Sequence, residues 1–174
     1  MIFGESQVNT SDEWYTPKYV FDALEEEFDL DVASPGKDIV NWIPAKSCIQ
    51  SNSLENEWSG FVWMNPPFGK RNGLVPWLDK FCRHGNGICL VPDRTSAPWW
   101  QKYSAKMNGI LFCSPKIKFI SGDNKNNGVP AQGTCLMSIG QRGLKSINKA
   151  ATNGLGVLLI PPANRSEEHT SELQ

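Results

Sequence analysis

Two consecutive prolines at the end of an apolar run constrain this chain more than any other feature. In Gly60-Phe61-Val62-Trp63-Met64-Asn65-Pro66-Pro67-Phe68-Gly69 the first five residues read as a buried strand, and the prolines cannot continue it. Neither proline can donate to a sheet ladder, and the residue before each is pushed out of the helical region, so the strand stops and the chain leaves in an extended turn. A polar residue, Asn65, is thereby held where a core strand ends. The rest of the chain supplies a sheet for that strand to join. Further apolar runs lie at Phe28 to Val32, Ile88 to Val91, Ile110 to Cys113, Lys116 to Ile120, Thr134 to Ile139 and Val157 to Ile160. Helical patterns are interspersed with them: Pro76 to Cys82 ending near Gly85, Ser96 to Tyr103, and Leu144 to Ala151. Near the start, Thr16 is placed to cap a helix whose first residue is Pro17 and which puts Val20, Phe21, Leu24 and Phe28 on one face. This alternation predicts an α/β fold: a mostly parallel sheet with helices on both faces and a ligand site beyond the carboxyl ends of its strands. The hairpin-like run from Ile110 to Ile139 is expected to add an antiparallel edge, and the Asn- and Gly-rich stretch 122–128 a surface loop.

Composition removes competing classes. A chain of 174 residues with 40% hydrophobic residues and seven Trp can bury a core, which excludes disorder and predicts one domain. The five cysteines, Cys48, Cys82, Cys89, Cys113 and Cys135, include no Cys-x-x-Cys pair; they argue against a disulfide framework or a zinc knuckle and read as soft core residues. With only His84 and His169, neither a histidine metal centre nor a Ser-His-Asp hydrolase is expected, and no metal is assigned. There is no apolar run of the roughly 18–20 residues of a membrane span, and Met1 to Ser6 lacks a secretory pattern, so the expected compartment is the cytoplasm. The last ten residues, Arg165 to Gln174, are polar and aperiodic. They resemble the translation of a sequencing-adapter oligonucleotide, the alternative being an ordinary disordered tail; the expected domain is therefore 1–164. Without them 16 basic and 15 acidic residues remain, and the formal charge of −1 becomes +1, too small to mark a nucleic-acid surface.

The chemistry legible around Asn65 concerns amino groups. An exocyclic amine on an aromatic base, or an amide nitrogen, has a delocalised lone pair and is a poor nucleophile. Two acceptors, the Asn65 side-chain carbonyl and the Pro66 main-chain carbonyl, can take both N–H hydrogens and favour a tetrahedral nitrogen with its lone pair free. Pro67 sets the turn, and Phe68 offers a flat face on which a ring can stack. Positioning of this kind accelerates a displacement without a strong general base. Lys70 and Arg71 follow in a basic, flexible loop; they read either as solvated charges or as contacts to the phosphates of a strand whose base has been flipped. Arg94 is a weaker candidate for the same role. Trp99 and Trp100 read as packing residues.

Asn65-Pro66-Pro67-Phe68 after a hydrophobic strand resembles the catalytic motif of amino-methyltransferases that use S-adenosylmethionine, and from Asp12 to about Gly140 the chain resembles the phage-type, Dam-like DNA N6-adenine methyltransferases. Asp12-Glu13-Trp14-Tyr15-Thr16-Pro17 is similar to the opening segment of that family, where Thr-Pro begins a helix bordering the cofactor. Phe28 to Pro35 resembles its first strand and turn, Ser53-Leu54 with Trp58 the approach to the catalytic strand, and Leu90 to Thr95 with Trp99 and Trp100 the strand and helix beyond. The resemblance implies a Rossmann-like class I methyltransferase fold. It also implies S-adenosylmethionine contacts from Trp14, Thr16, Pro17, Asp31, Ala33, Ser34 and Asn52, and methyl transfer to N6 of adenine in double-stranded DNA. Asp31 has a plainer reading as a strand-end residue capping the next turn. Asn52 stands where an acidic residue is expected, and its amide could still donate or accept a hydrogen bond. The first turn has Gly36 but no Gly-x-Gly loop. Methylation of cytosine N4, RNA adenine or a protein glutamine needs the same two acceptors and remains an alternative, as does a binding module without catalysis.

Overall fold

The computed structural model describes residues 14–69, 72–122 and 131–162. Lys70, Arg71, Asp12, Glu13, most of the 122–128 loop and the C-terminal ten residues lie outside them. In chain order the elements are β1 (Trp14–Tyr15), α1 (Lys18–Leu24), β2 (Phe28–Asp31), β3 (Ala45–Cys48), β4 (Val62–Met64), α2 (Val75–His84), β5 (Gly87–Pro92), α3 (Pro98–Ser104), β6 (Gly109–Cys113), β7 (Ile120–Ser121), β8 (Thr134–Ile139), α4 (Gln141–Thr152) and β9 (Gly156–Leu159).

Seven strands form one mixed sheet in the order β3-β2-β4-β5-β8-β6-β9, and β1 pairs with β7 in a separate two-stranded ribbon. Strands β3, β2, β4 and β5 are mutually parallel, whereas β8 is antiparallel to both β5 and β6, and β9 is antiparallel to β6. Half of the pairings are therefore antiparallel, more than the mostly parallel sheet expected. Nor is the β6–β8 hairpin an edge: β8 inserts between β5 and β6, and β9 takes the edge. The side chains explain the insertion. All of Thr134 to Ser138 is buried, with Cys135 and Met137 packing on one face of the sheet and Leu136 on the other, as an interior strand requires.

The same period-2 division runs through the central strands. Val62, Met64, Cys89 and Val91 face a core with Leu78 and Phe81 of α2 and Trp100 and Tyr103 of α3. Trp63, Ile88 and Leu90 face the opposite core with Val20, Phe21 and Leu24 of α1 and Ile147 and Ala150 of α4. The result is three layers with a helix pair on each face. Trp63 is fully buried, with Phe21 against it edge-on at 4.8 Å and Phe28 at 5.5 Å. β5 must start with glycine because a Cβ at Gly87 would lie 2.5 Å from the Val62 carbonyl oxygen of β4.

Three local expectations change. Helix α1 begins at Lys18 with Pro17 as its N-cap, and no side chain caps it, because the Thr16 hydroxyl is engaged elsewhere. Lys116 to Ile120 is not a strand of the main sheet; only Ile120–Ser121 is extended, pairing with Trp14–Tyr15. Of the cysteines, Cys89 and Cys135 are buried and the other three only partly so. Among the described residues no helix is long and apolar enough to cross a membrane, and no group of three or more His, Cys, Asp or Glu could hold a metal ion.

Candidate active site

The sheet order turns at β2, which has β3 on one side and β4 on the other, and this places a crevice at the carboxyl ends of β2 and β4. Register deepens it. Met64, the last residue of β4, pairs with Cys89, while β5 runs on to Pro92 beside β8. The Asn65-Pro66-Pro67 segment leaves the sheet at that step because the prolines bring no donors with which to follow β5. The chain from β3 to β4 contains no helix, and its residues 49–55 form a loop along the floor of the crevice.

A cavity of about 740 Å³ fills the space. Trp14, Thr16, Asp31, Ala33, Ser34, Asn52, Asn65, Pro66, Pro67 and Phe68 all line it, so ten of the eleven candidate catalytic and cofactor residues meet at one place. Pro17 is buried but does not line the cavity; it belongs to the turn behind Thr16. Lys70 and Arg71 fall outside the described residues.

Asn65 is held by a long-range hydrogen-bond set. Its Nδ2 donates to the Trp14 carbonyl at 3.0 Å and to Thr16 Oγ1 at 3.2 Å. A main-chain carbonyl can only accept, so this contact fixes which end of the amide is nitrogen. Both amide hydrogens are thus engaged, and Oδ1, which has no partner among the described residues, is the function left for a ligand. The acceptors are themselves anchored: the Trp42 indole donates to the Thr16 carbonyl at 2.8 Å, and Thr16 is fully buried.

Asp31 supplies the electrostatics. It is 3% exposed, and its Oδ1 accepts the Ala33 N–H at 3.2 Å. Burial pushes its carboxyl up to about 6, with the hydrogen bonds from Ala33 and Ser34 opposing the shift. An ionised carboxylate here lacks a cationic partner among the described residues, and it faces the cavity.

The floor loop has its own supports. Asn52 sits at φ 52, a left-handed conformation that Asn tolerates better than most residues, and its carbonyl accepts from the Glu55 and Asn56 amides. Lys80, reaching from α2, donates to the carbonyls of Ser53 at 2.9 Å, Leu54 at 3.0 Å and Asn56, while its ammonium lies 4.8 Å from the Trp58 ring centroid. The Trp58 indole N–H donates to Ser53, and Trp58 stacks on Trp77, which lines the cavity. Sequence reasoning identified neither Lys80 nor Trp77 nor Trp42 as part of this assembly. Their partners are up to 27 residues away, and a lysine, or a tryptophan in an amphipathic helix, carries no local sign of such a task.

Comparison with curated proteins and with solved structures gives no match. A family model described as DNA N-6-adenine-methyltransferase (Dam) matches residues 4–153. That stretch spans the Trp14–Thr16 segment, the Asp31 strand end, the floor loop and the Asn65–Phe68 turn, so the residues that build the cavity are the ones that the family model covers. On that match over most of its length, the chain belongs to the DNA N-6-adenine-methyltransferase (Dam) family.

Proposed function

We propose that this protein transfers the methyl group of S-adenosylmethionine to N6 of an adenine flipped out of double-stranded DNA, and that its sheet is a Rossmann-like class I methyltransferase sheet within one domain of 1–164. The observation that carries this reading is the Asn65 amide, whose two hydrogens are consumed by Trp14 and Thr16 so that its oxygen remains for a ligand in the cavity that Pro66 also lines.

The cavity suits the cofactor. Its volume of about 740 Å³ lies within the range of roughly 300–1,000 Å³ typical of small-molecule sites. A buried carboxylate with no cationic partner among the described residues matches a ligand that carries an ammonium, and the amide of Asn52 matches the hydrogen-bonding edge of an adenine. Trp14, Ala33 and Ser34 would form the walls about the same ligand, and Thr16 and Pro17 would brace Asn65 from behind. When bound, S-adenosylmethionine supplies an electrophilic methyl on a sulfonium.

The protein's part is to prepare the acceptor. Asn65 Oδ1 and Pro66 O accept the two N6 hydrogens, drawing the amino group towards a tetrahedral arrangement with its lone pair exposed. Phe68 holds the purine plane, and Pro67 fixes the spacing between the ring and the two oxygens. Those acceptors are preorganised, so their contribution needs no rearrangement during transfer. Family membership favours DNA adenine over the other amino acceptors. Incubation with radiolabelled S-adenosylmethionine and unmethylated DNA, RNA or protein should label DNA alone. Label confined to RNA or protein would replace the acceptor, and absence of label with every acceptor despite cofactor binding would remove catalysis.

A further inference from the structure

Phe68 also borders a second, smaller pocket that Asn65 does not line. It measures about 80 Å³ and lies between the turn after β4 and the end of β5. Its apolar walls are Phe68, Leu74, Pro92 and Trp99, and its polar groups come from Asn72 and Arg94. The space holds a few water-sized groups, the scale of a phosphate.

Arg94 is arranged for an anion. Its Nε donates to Gln132 Oε1 at 2.5 Å, a neutral partner that fixes the plane of the guanidinium while leaving the two terminal nitrogens for a bidentate contact. Among the described residues Arg94 forms no ion pair, and no carboxylate lines the pocket. The neighbouring Asp93 does not line the pocket; its carboxylate packs against Gly133, where a Cβ would lie 2.3 Å from Oδ2.

We propose that this pocket seats one backbone phosphate of the DNA strand that carries the target base, gripped by Arg94 and oriented through Gln132. The proposal rests on the DNA reading above, because a base stacked on Phe68 brings its own backbone to the rim that Arg94 occupies. Phosphate contacts set register and orientation on the strand. Arg94 would therefore position the adenine, with Phe68 as the partition between the base and its phosphate.

The test uses the full chain, a fluorescent duplex containing adenine, and anisotropy titrations over a range of salt concentrations. Loss of one phosphate contact should lower the slope of log affinity against log salt by about one. Arg94→Ala should do so and weaken binding roughly five- to tenfold at low salt; Arg94→Lys should retain part of the affinity, and Gln132→Ala should give an intermediate loss. S-adenosylmethionine affinity should stay at the wild-type value in all three. Duplexes with a single neutral methylphosphonate, scanned through positions around the adenine, supply a second measurement. One position should weaken wild-type binding and leave Arg94→Ala indifferent. Wild-type slope and affinity in Arg94→Ala, or equal sensitivity of both proteins at every methylphosphonate position, would overturn the proposal. Absence of salt-dependent duplex binding by the wild type is a different result, which removes the DNA acceptor itself.

Discussion

Replacing Asp31 with asparagine should make the protein more stable and a poorer binder of cofactor. The wild-type carboxyl is raised from 3.8 to about 6 by burial. A difference of about two pKa units at 1.36 kcal/mol each gives at most about 3 kcal/mol by which ionisation of Asp31 opposes folding near neutral pH. The sign follows from proton counts. Between about pH 4 and pH 6 the unfolded chain has released the proton while the folded chain still holds it, so this contribution to stability is full below about 4 and is lost as pH rises to about 6. Asparagine keeps an oxygen for the Ala33 N–H and carries no charge. Asp31→Asn and wild type should therefore be equally stable at about pH 4 and below, diverge between about pH 4 and pH 6, and differ fully above pH 6, where for a chain of this size about 3 kcal/mol corresponds to a Tm roughly 6–12 °C higher in the variant. Calorimetric titration with S-adenosylmethionine should show the opposite order of merit. A lost charge-assisted hydrogen bond of about 1.5–3 kcal/mol weakens binding roughly ten- to hundredfold. Wild-type affinity should also fall as pH drops below about 6. A variant that is less stable than wild type near neutral pH, with a gap that does not close towards pH 4, would refute the assignment of Asp31 as a strained, functional carboxylate.

Other perturbations separate the parts of the site. Asn65→Ala should lower kcat about 10²- to 10³-fold, as loss of one preorganised hydrogen-bonding group does elsewhere, with cofactor affinity little changed; a proportional loss of cofactor binding would move Asn65 out of the acceptor site. Asn65→Asp keeps the acceptor oxygen but sets a carboxylate against the Trp14 carbonyl, and should be as inactive as the alanine variant. Lys80→Met releases three carbonyls of the floor loop, so KM for S-adenosylmethionine should rise while kcat at saturation holds, and Lys80→Arg should recover part of the loss. Gly87→Ala drives a methyl into the Val62 carbonyl and should cost upwards of about 1–3 kcal/mol in urea denaturation; a neutral effect would show that β4 and β5 can separate freely.

Parts of this architecture are legible without coordinates because local chemistry specifies them. Pro66-Pro67 ends β4 wherever the strand is placed, Gly85 stops α2 in the left-handed conformation expected of a C-cap, and the mostly apolar β5 and β8, without a charged residue, announce burial on both faces. Strand β3 is invisible because Ala45-Lys46-Ser47-Cys48 lies at an edge, half in water, and shows no alternation. The insertion of β8 between β5 and β6 is equally hidden, since either order buries the same side chains. At the site, Asn65 can be identified as an acceptor from its own neighbours, but the reason that its oxygen is free lies 51 residues away in the Trp14 carbonyl. Thr16 shows the converse. Its sequence context suits a helix cap, and the fold instead uses its hydroxyl to hold Asn65.

Presentation of an adenine amino group by Asn65 and Pro66 is the step on which the proposed methylation depends. It is tested most directly by single-turnover reaction of the protein with an unmethylated adenine-containing duplex and deuterium-labelled S-adenosylmethionine, followed by mass spectrometry of the digested nucleosides. The expected product is trideuteromethyl at N6 of deoxyadenosine, lost in Asn65→Ala; label on cytosine N4, or on adenine in both proteins, would overturn this role for Asn65.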